Sequence, residues 1–164
     1  MRRAVEARAA GNWPREEGRG EITLAFDQRH RRRIRLRCDD GAGLLLDLPE
    51  ATALRDGDGL HCEDGSWVAV RAAPEDVVDV HCDSPRDILR VAWHLGNRHL
   101  SVELLGDGGL RFRADHVIEA MVRGLGARTM RRQAPFSPES GAYSDTRHVP
   151  HAAGEHAHAD DAIA

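Results

Sequence analysis

The chain has 164 residues, of which 30% are charged and 41% hydrophobic, and its formal net charge is −4. That length fits one ordinary domain or two small ones, and the hydrophobic fraction is sufficient for a core. The negative charge gives no support to nucleic-acid binding, and no apolar run approaches the roughly 20 residues that a membrane-spanning helix needs.

The first part of the chain, residues 1–74, has the pattern of a small all-β domain. Residues 1–20 are polar and interrupted by glycine and proline, so we predict that they are mostly loose, with at most a short strand. After them, alternating apolar segments are separated by turn signals about 8–12 residues apart, which is typical of short strands in an all-β unit. The predicted strands are 22–26, 33–37, 43–49 and 66–72, with Pro49 ending the third and a turn at 54–60.

The second part, residues 75–143, alternates strands and helices in the order βαββαβ. The predicted elements are a strand at 76–82, a helix at 84–96, a hairpin at 101–113, a helix at 115–126 and a strand at 127–136. Ser84 and Asp115 are suitable N-caps, and Gly126 is a suitable C-terminal stop. This order indicates a ferredoxin-like domain in which two helices cover one face of a four-stranded antiparallel sheet. We therefore predict an α+β fold whose other sheet face is free to meet another surface.

Both helices are predicted to bury one apolar face. The residues at the required spacings are Ile88, Leu89, Val91, Ala92 and Leu95 in the first helix, and Val117, Ile118, Met121, Val122 and Leu125 in the second.

The remaining segment, residues 144–164, has almost no large apolar side chains and is predicted to be a disordered, flexible tail. It carries four histidines together with acidic residues: His148, His151, His156 and His158. A segment of this composition can wrap several imidazoles around one divalent ion. Neutral imidazole is a good ligand for nickel, zinc and copper.

Two further histidines, His99 and His116, lie in the part of the chain that is predicted to fold. His99 follows the end of the first helix, and His116 lies in the first turn of the second, where the helix dipole favours a neutral imidazole. Each could equally be an ordinary surface histidine. A single histidine cannot hold a metal ion tightly, but a two-fold axis repeats it in a second copy of the chain. We therefore hypothesise that His99 is one half of a metal site that exists only in a dimer.

Several segments resemble the UreE family of urease accessory proteins. The most specific are HLGNRHL (94–100) and PFSPESGAY (135–143), supported by RFRADHVIEAMVRGLG (111–126). In the first part of the chain, GLLLDLP (43–49) and RDGDGL (55–60) are similar to the β unit of the family. The resemblance extends over residues 21–158.

The resemblance implies a cytoplasmic, homodimeric nickel metallochaperone that delivers Ni(II) to the urease apoprotein and catalyses no reaction. It assigns partner binding to residues 1–74 and metal binding with dimerisation to residues 75–143. His99 would hold nickel at the dimer interface, His116 would be a peripheral ligand, and the tail histidines would supplement them. Ala114 stands where some relatives have a second peripheral histidine. The implied partners are the accessory GTPase UreG and the complex of UreF, UreD (also called UreH) and urease apoprotein.

The residues leave other interpretations open. The chain could be a general binding or storage protein for zinc, copper or nickel with no part in urease assembly. An enzyme is disfavoured because no H-E-x-x-H, G-x-S-x-G or phosphate-binding glycine loop is present. A nucleic-acid binder could use the arginine-rich segment 29–37, but aromatic stacking partners are missing there.

The cysteines favour a reducing compartment. Cys38, Cys62 and Cys82 are scattered, form no Cys-x-x-Cys pair and are odd in number, so they cannot all pair within the chain. The N-terminal residues have no apolar segment of the kind found in signal peptides. Both observations predict a cytoplasmic protein.

Overall fold

The computed structural model describes residues 1–140, which form two β-sheets and two α-helices. The strands are β1 Arg2–Arg8, β2 Gly18–Leu24, β3 His30–Arg37, β4 Gly43–Ala53, β5 Gly59–Cys62, β6 Trp67–Ala72, β7 Pro74–His81, β8 Glu103–Leu104, β9 Leu110–Arg113 and β10 Arg128–Pro135. The helices are α1 Pro85–Gly96 and α2 His116–Gly124, and short 3₁₀ helices lie at Arg15–Glu17 and Phe26–Gln28. No helix in residues 1–140 is long and apolar enough to cross a membrane. The predicted tail, 144–164, lies outside the described residues.

Strands β1 to β6 form a six-stranded sheet in the order β2-β6-β5-β1-β4-β3. Its core is aliphatic, as the low aromatic content of the chain requires, and includes fully buried Ile22, Leu44, Leu46 and Leu60. The alternating residues of the predicted strands point into this core, which confirms that the first part of the chain is rich in strands.

The prediction that residues 1–20 are mostly loose is wrong. Strand β1 lies inside the sheet, parallel to β4 and antiparallel to β5, and its Ala4 is fully buried. Trp13 is also buried, because its ring stacks on Trp67 with centroids 5.6 Å apart and its Nε1–H donates to the Gly57 carbonyl at 3.0 Å. These residues owe their order to partners from distant parts of the sequence.

The prediction that Pro49 ends its strand is also wrong, since β4 continues to Ala53. The pairing of β4 with β3 is interrupted around Pro49: Arg33 pairs with Asp47, and the next paired residues are Arg31 and Thr52. A proline has no N–H to donate, so an irregularity of this kind accommodates it within a strand.

Strands β7 to β10 form the second sheet, in the order β10-β7-β9-β8, with each neighbouring pair antiparallel. Helices α1 and α2 pack on one face of this sheet, where Val78 and Val80 meet Val91, Leu95 and Val122. The predicted caps are present: the Ser84 hydroxyl accepts the Asp87 N–H, and the Asp115 carboxylate accepts two N–H groups at the start of α2.

The two helix faces differ from the prediction at one residue each. Leu89 is 69% exposed, because Ile88, Val91, Ala92 and Leu95 already fill the side of α1 that faces the sheet. Val117 is 61% exposed, whereas Glu119 is buried. The Glu119 carboxylate accepts hydrogen bonds from the side chains of Arg123, Thr129 and Arg131, which fix α2 against β10.

The face of the second sheet that carries no helices meets the first domain. Val77 and Phe136 are fully buried there, and Phe26 of the first domain packs edge-on against Phe136 with ring centroids 5.3 Å apart. An ion pair between Arg113 and Asp27, at 2.8 Å, lies beside them. This part of the sheet is therefore covered and does not remain free for another partner.

Candidate metal site

His99 lies in the Schellman motif that ends helix α1. The Leu100 N–H donates to the Leu95 carbonyl at 3.3 Å, and the His99 N–H donates to the Gly96 carbonyl at 2.9 Å. Leu95 is fully buried and Leu100 packs against the same core, so the motif is anchored on both sides of His99. The backbone of His99 is therefore held in one conformation while its side chain is exposed.

The conformation of His99 is one that L-amino acids rarely adopt. Its φ is 55°, and it is the only non-glycine residue with a positive φ within residues 1–140. A left-handed conformation costs an L-residue about 1–2 kcal/mol, and glycine is the usual residue at this place in a Schellman motif. Backbone strain of this kind is common at functional sites, which makes His99 a candidate functional residue.

We expect His99→Gly to be more stable than His99→Ala by about 1 kcal/mol, because glycine relieves the left-handed strain that alanine retains. The measurement is urea unfolding of both variants at equal chain concentration in metal-free buffer, read as a shift of the midpoint at constant slope. Equal midpoints would mean that His99 is not strained in solution.

Two large apolar side chains lie exposed on α1, one and two turns before its end. Leu89 and Trp93 are 69% and 62% exposed and are spaced four residues apart, so they form one face of the helix. We call these two residues the α1 stripe. The Trp93 ring contacts His94 edge-on, with centroids 5.0 Å apart. An exposed tryptophan and leucine on the same face are typical of a surface that another protein covers.

His116 is the first residue of α2 and is exposed. It follows the N-cap Asp115, whose carboxyl pKa is lowered by hydrogen bonds from the Ile118 and Val117 N–H groups. Ala114 packs against the core of the second domain and carries no donor atom. At this end of α2, His116 is accordingly a single imidazole and not part of a His-x-His pair.

Within residues 1–140, no three His, Cys, Asp or Glu side chains are grouped so that they could hold a metal ion. His99 and His116 each bring one imidazole to the surface of the domain. The four tail histidines, His148, His151, His156 and His158, lie outside the described residues. The described part of one chain does not supply a complete ligand set.

Comparison with known proteins identifies the relatives of this chain. Residues 3–73 match the N-terminal domain of the UreE urease accessory protein, and residues 75–161 match its C-terminal domain. The urease accessory protein UreE of Bradyrhizobium sp. (strain ORS 278) is 46% identical over 149 residues, which cover 91% of this chain and 70% of the relative. That of Rhodobacter capsulatus is 44% identical over 160 residues, covering 97% and 98%. This chain belongs to the UreE family.

Membership of the UreE family confirms the resemblance seen in the sequence and gives the chain an accessory role in urease assembly. UreE proteins are accessory proteins and not urease itself. The match runs through both sheets, so it includes the α1 stripe and the Schellman motif of His99.

Sequence reasoning found His99 but missed the α1 stripe in this UreE chain. The spacing of Leu89 and Trp93 at i and i+4 was available as a signal, because it describes a second apolar face beside the one formed by Ile88, Val91 and Leu95. A helix with two apolar faces needs two surfaces to cover them. One is the sheet, and within residues 1–140 no second surface covers Leu89 and Trp93.

Proposed function

We propose that this UreE chain is a nickel metallochaperone that binds Ni(II) between two copies of itself and delivers it to the urease apoprotein. The observation that carries the proposal is the exposed His99, held in a strained conformation beside the α1 stripe. In this interpretation the strain fixes the imidazole where a second copy can meet it. Ni(II) is the cargo, and Zn(II) or Cu(II) can take its place at such a site because imidazole binds all three.

In the proposed dimer, the contact between the two chains is made by the α1 stripe. When two α1 stripes pack against each other about a two-fold axis, each Leu89 and Trp93 is covered by its counterpart. We propose that this axis runs roughly along α1, so that it also brings together the two copies of His99, which lies directly after the same helix. A site of two imidazoles, completed by tail histidines or water, binds well enough to capture nickel and still allows its release.

The remaining assignments rest on this function and on the family. We infer a ferredoxin-like topology for the second domain, which the order β10-β7-β9-β8 and the two helices on one face support. Residues 75–143 would bind metal and dimerise, residues 1–74 would bind protein partners, and the tail 144–164 would supply extra imidazoles. His116 would be a weak peripheral ligand. The proposed partners are UreG and the UreF–UreD–urease apoprotein complex.

We also propose a cytoplasmic location and a non-catalytic role. Cys38, Cys62 and Cys82 are free thiols, which is typical of proteins in a reducing compartment. Burial raises the pKa of the Cys38 and Cys62 thiols, so they remain protonated within the core. Because both side chains are also buried, Cys38 and Cys62 are poor candidates for metal binding.

Nickel delivery is tested in a urease-producing bacterium from which the gene for its own UreE has been deleted. We expect this chain to restore urease activity when nickel is scarce, and His99→Ala to restore much less, because its capture site is missing. The amounts of urease subunits are measured as a control, and excess nickel should remove the difference. Equal activity with and without the chain at scarce nickel would contradict the proposal and favour a general metal-binding protein.

A further inference from the structure

A small cavity lies where the first domain meets the segment that follows β10. Its volume is about 120 Å³. One part of the wall is apolar, with Phe26, Ala53, Leu54 and Pro138. The polar part is formed by Arg29, His30, Arg55, Ser137, Glu139 and Ser140. Neither the nickel site nor the α1 stripe involves any of these residues.

Arg29 is the unusual member of this wall, because it is only 4% exposed and has no carboxylate bonded to it in the described chain. Its two terminal nitrogens donate to main-chain carbonyls, those of Phe136 and Leu54. Its Nε is buried and finds no acceptor within residues 1–140. Burial lowers the pKa of the Arg29 guanidinium, which reflects the cost of a charge that lacks a close counter-ion.

The carboxylates whose charges act on Arg29 accept hydrogen bonds from other groups. Glu75 accepts the Phe26 N–H at 2.7 Å, and Asp56 accepts the Ala72 N–H at 2.9 Å. Glu103 accepts the Ser137 N–H at 3.0 Å. These three act on Arg29 only through their electric field, which favours its charged form. The guanidinium stays ionised but keeps an unused N–H donor.

We infer that this cavity binds a ligand with a single carboxylate, held by the guanidinium of Arg29, which lines it. A carboxylate oxygen is the natural acceptor for that donor, and the apolar wall formed by Phe26 and Leu54 suits the short carbon chain next to a carboxyl group. Arg55 adds a second positive charge to the wall, where it bonds the Ser140 hydroxyl at 3.2 Å.

The same surroundings disfavour a dianion such as phosphate or sulfate. Glu75, Asp56 and Glu103 all act on Arg29, and Glu139 lines the cavity as well. These carboxylates repel any anion, and they repel a dianion about twice as strongly as a single carboxylate. The carboxylate can come from a small free acid or from the C-terminus of a peptide chain.

The test is a titration of the full chain, labelled with ¹⁵N, with sodium propionate at constant ionic strength. The readout is the NMR signal of the Arg29 Nε–H, identified by its loss in Arg29→Lys. We expect a saturable shift with propionate and at least about tenfold weaker binding of sulfate. A shift that does not saturate, or an equal response to sulfate or chloride, would overturn the inference.

A pair of variants separates the cavity from the rest of the surface. Ala53→Phe fills the cavity without removing Arg29 and should abolish the response to propionate. Ala51→Phe, on the same strand but outside the cavity, should leave it unchanged. Retention of the response in Ala53→Phe would refute the inference.

The source of the carboxylate is distinguished with acetyl-Ala-Leu and its C-terminal amide. A response to propionate alone indicates a small free acid, and a response to the peptide acid but not to the amide indicates a chain terminus. Absence of any response to either carboxylate would also overturn the inference. None of these results depends on nickel binding, so the proposed function is tested separately.

Discussion

Replacing His99 with alanine is expected to abolish tight nickel binding by the proposed dimer. The native chain should bind one tight Ni(II) per two chains in isothermal titration calorimetry. Loss of an outer-shell partner of a metal ligand already weakens binding roughly 10–100-fold. Loss of a direct ligand from both copies at once should weaken it by at least about 100-fold.

Two further variants make this result specific. His99→Gly should also lose the tight ion. Because glycine relaxes the backbone at the end of α1, the loss of nickel binding in this variant cannot be attributed to backbone strain. His116→Ala should keep the tight ion and lose only a weak one. Tight binding that survives in both His99 variants would show that nickel is held elsewhere.

The second large effect is expected when the α1 stripe is made acidic by the double change Leu89→Asp and Trp93→Asp. Both side chains are exposed in the single chain, so the fold should tolerate the change. Two stripes carrying aspartates would repel each other in the dimer, and the protein should become monomeric in analytical ultracentrifugation. The tight nickel site should disappear at the same time, although His99 itself is unchanged.

Met130→Asp provides the matched control for the stripe. Met130 is also an exposed apolar residue, at 55%, but it pairs with Asp79 across β10 and β7 and so lies on the sheet face opposite the helices. This variant should remain dimeric and bind nickel normally. A stripe variant that stays dimeric, or one that is monomeric yet binds nickel tightly, would contradict the proposed arrangement.

The sequence predicted the second domain well because its signals are local. Ser84 and Asp115 cap their helices as expected, and the strands at β7 and β10 have the predicted positions. The first 20 residues were misjudged because β1 has little apolar pattern of its own. Its order comes from pairing with β4, where Arg2 lies opposite Leu44, a contact between residues far apart in sequence.

The candidate site was only partly predictable for a similar reason. The helix stop at Gly96 and the histidine after it are visible in the sequence, so the end of α1 could be located. The left-handed residue, however, is His99 and not the glycine that usually occupies this place in the motif. The buried Glu119 accepts hydrogen bonds from Arg131 and Thr129, and such side-chain partners cannot be inferred from helix periodicity.

The Schellman motif of α1 has an evolutionary consequence. Mutation would drift toward glycine at residue 99 if only the backbone mattered, because glycine adopts this conformation without strain. A histidine can persist there only while natural selection maintains its ring. In any lineage that no longer uses this ring, this codon should be among the first in the helix-ending segment to change.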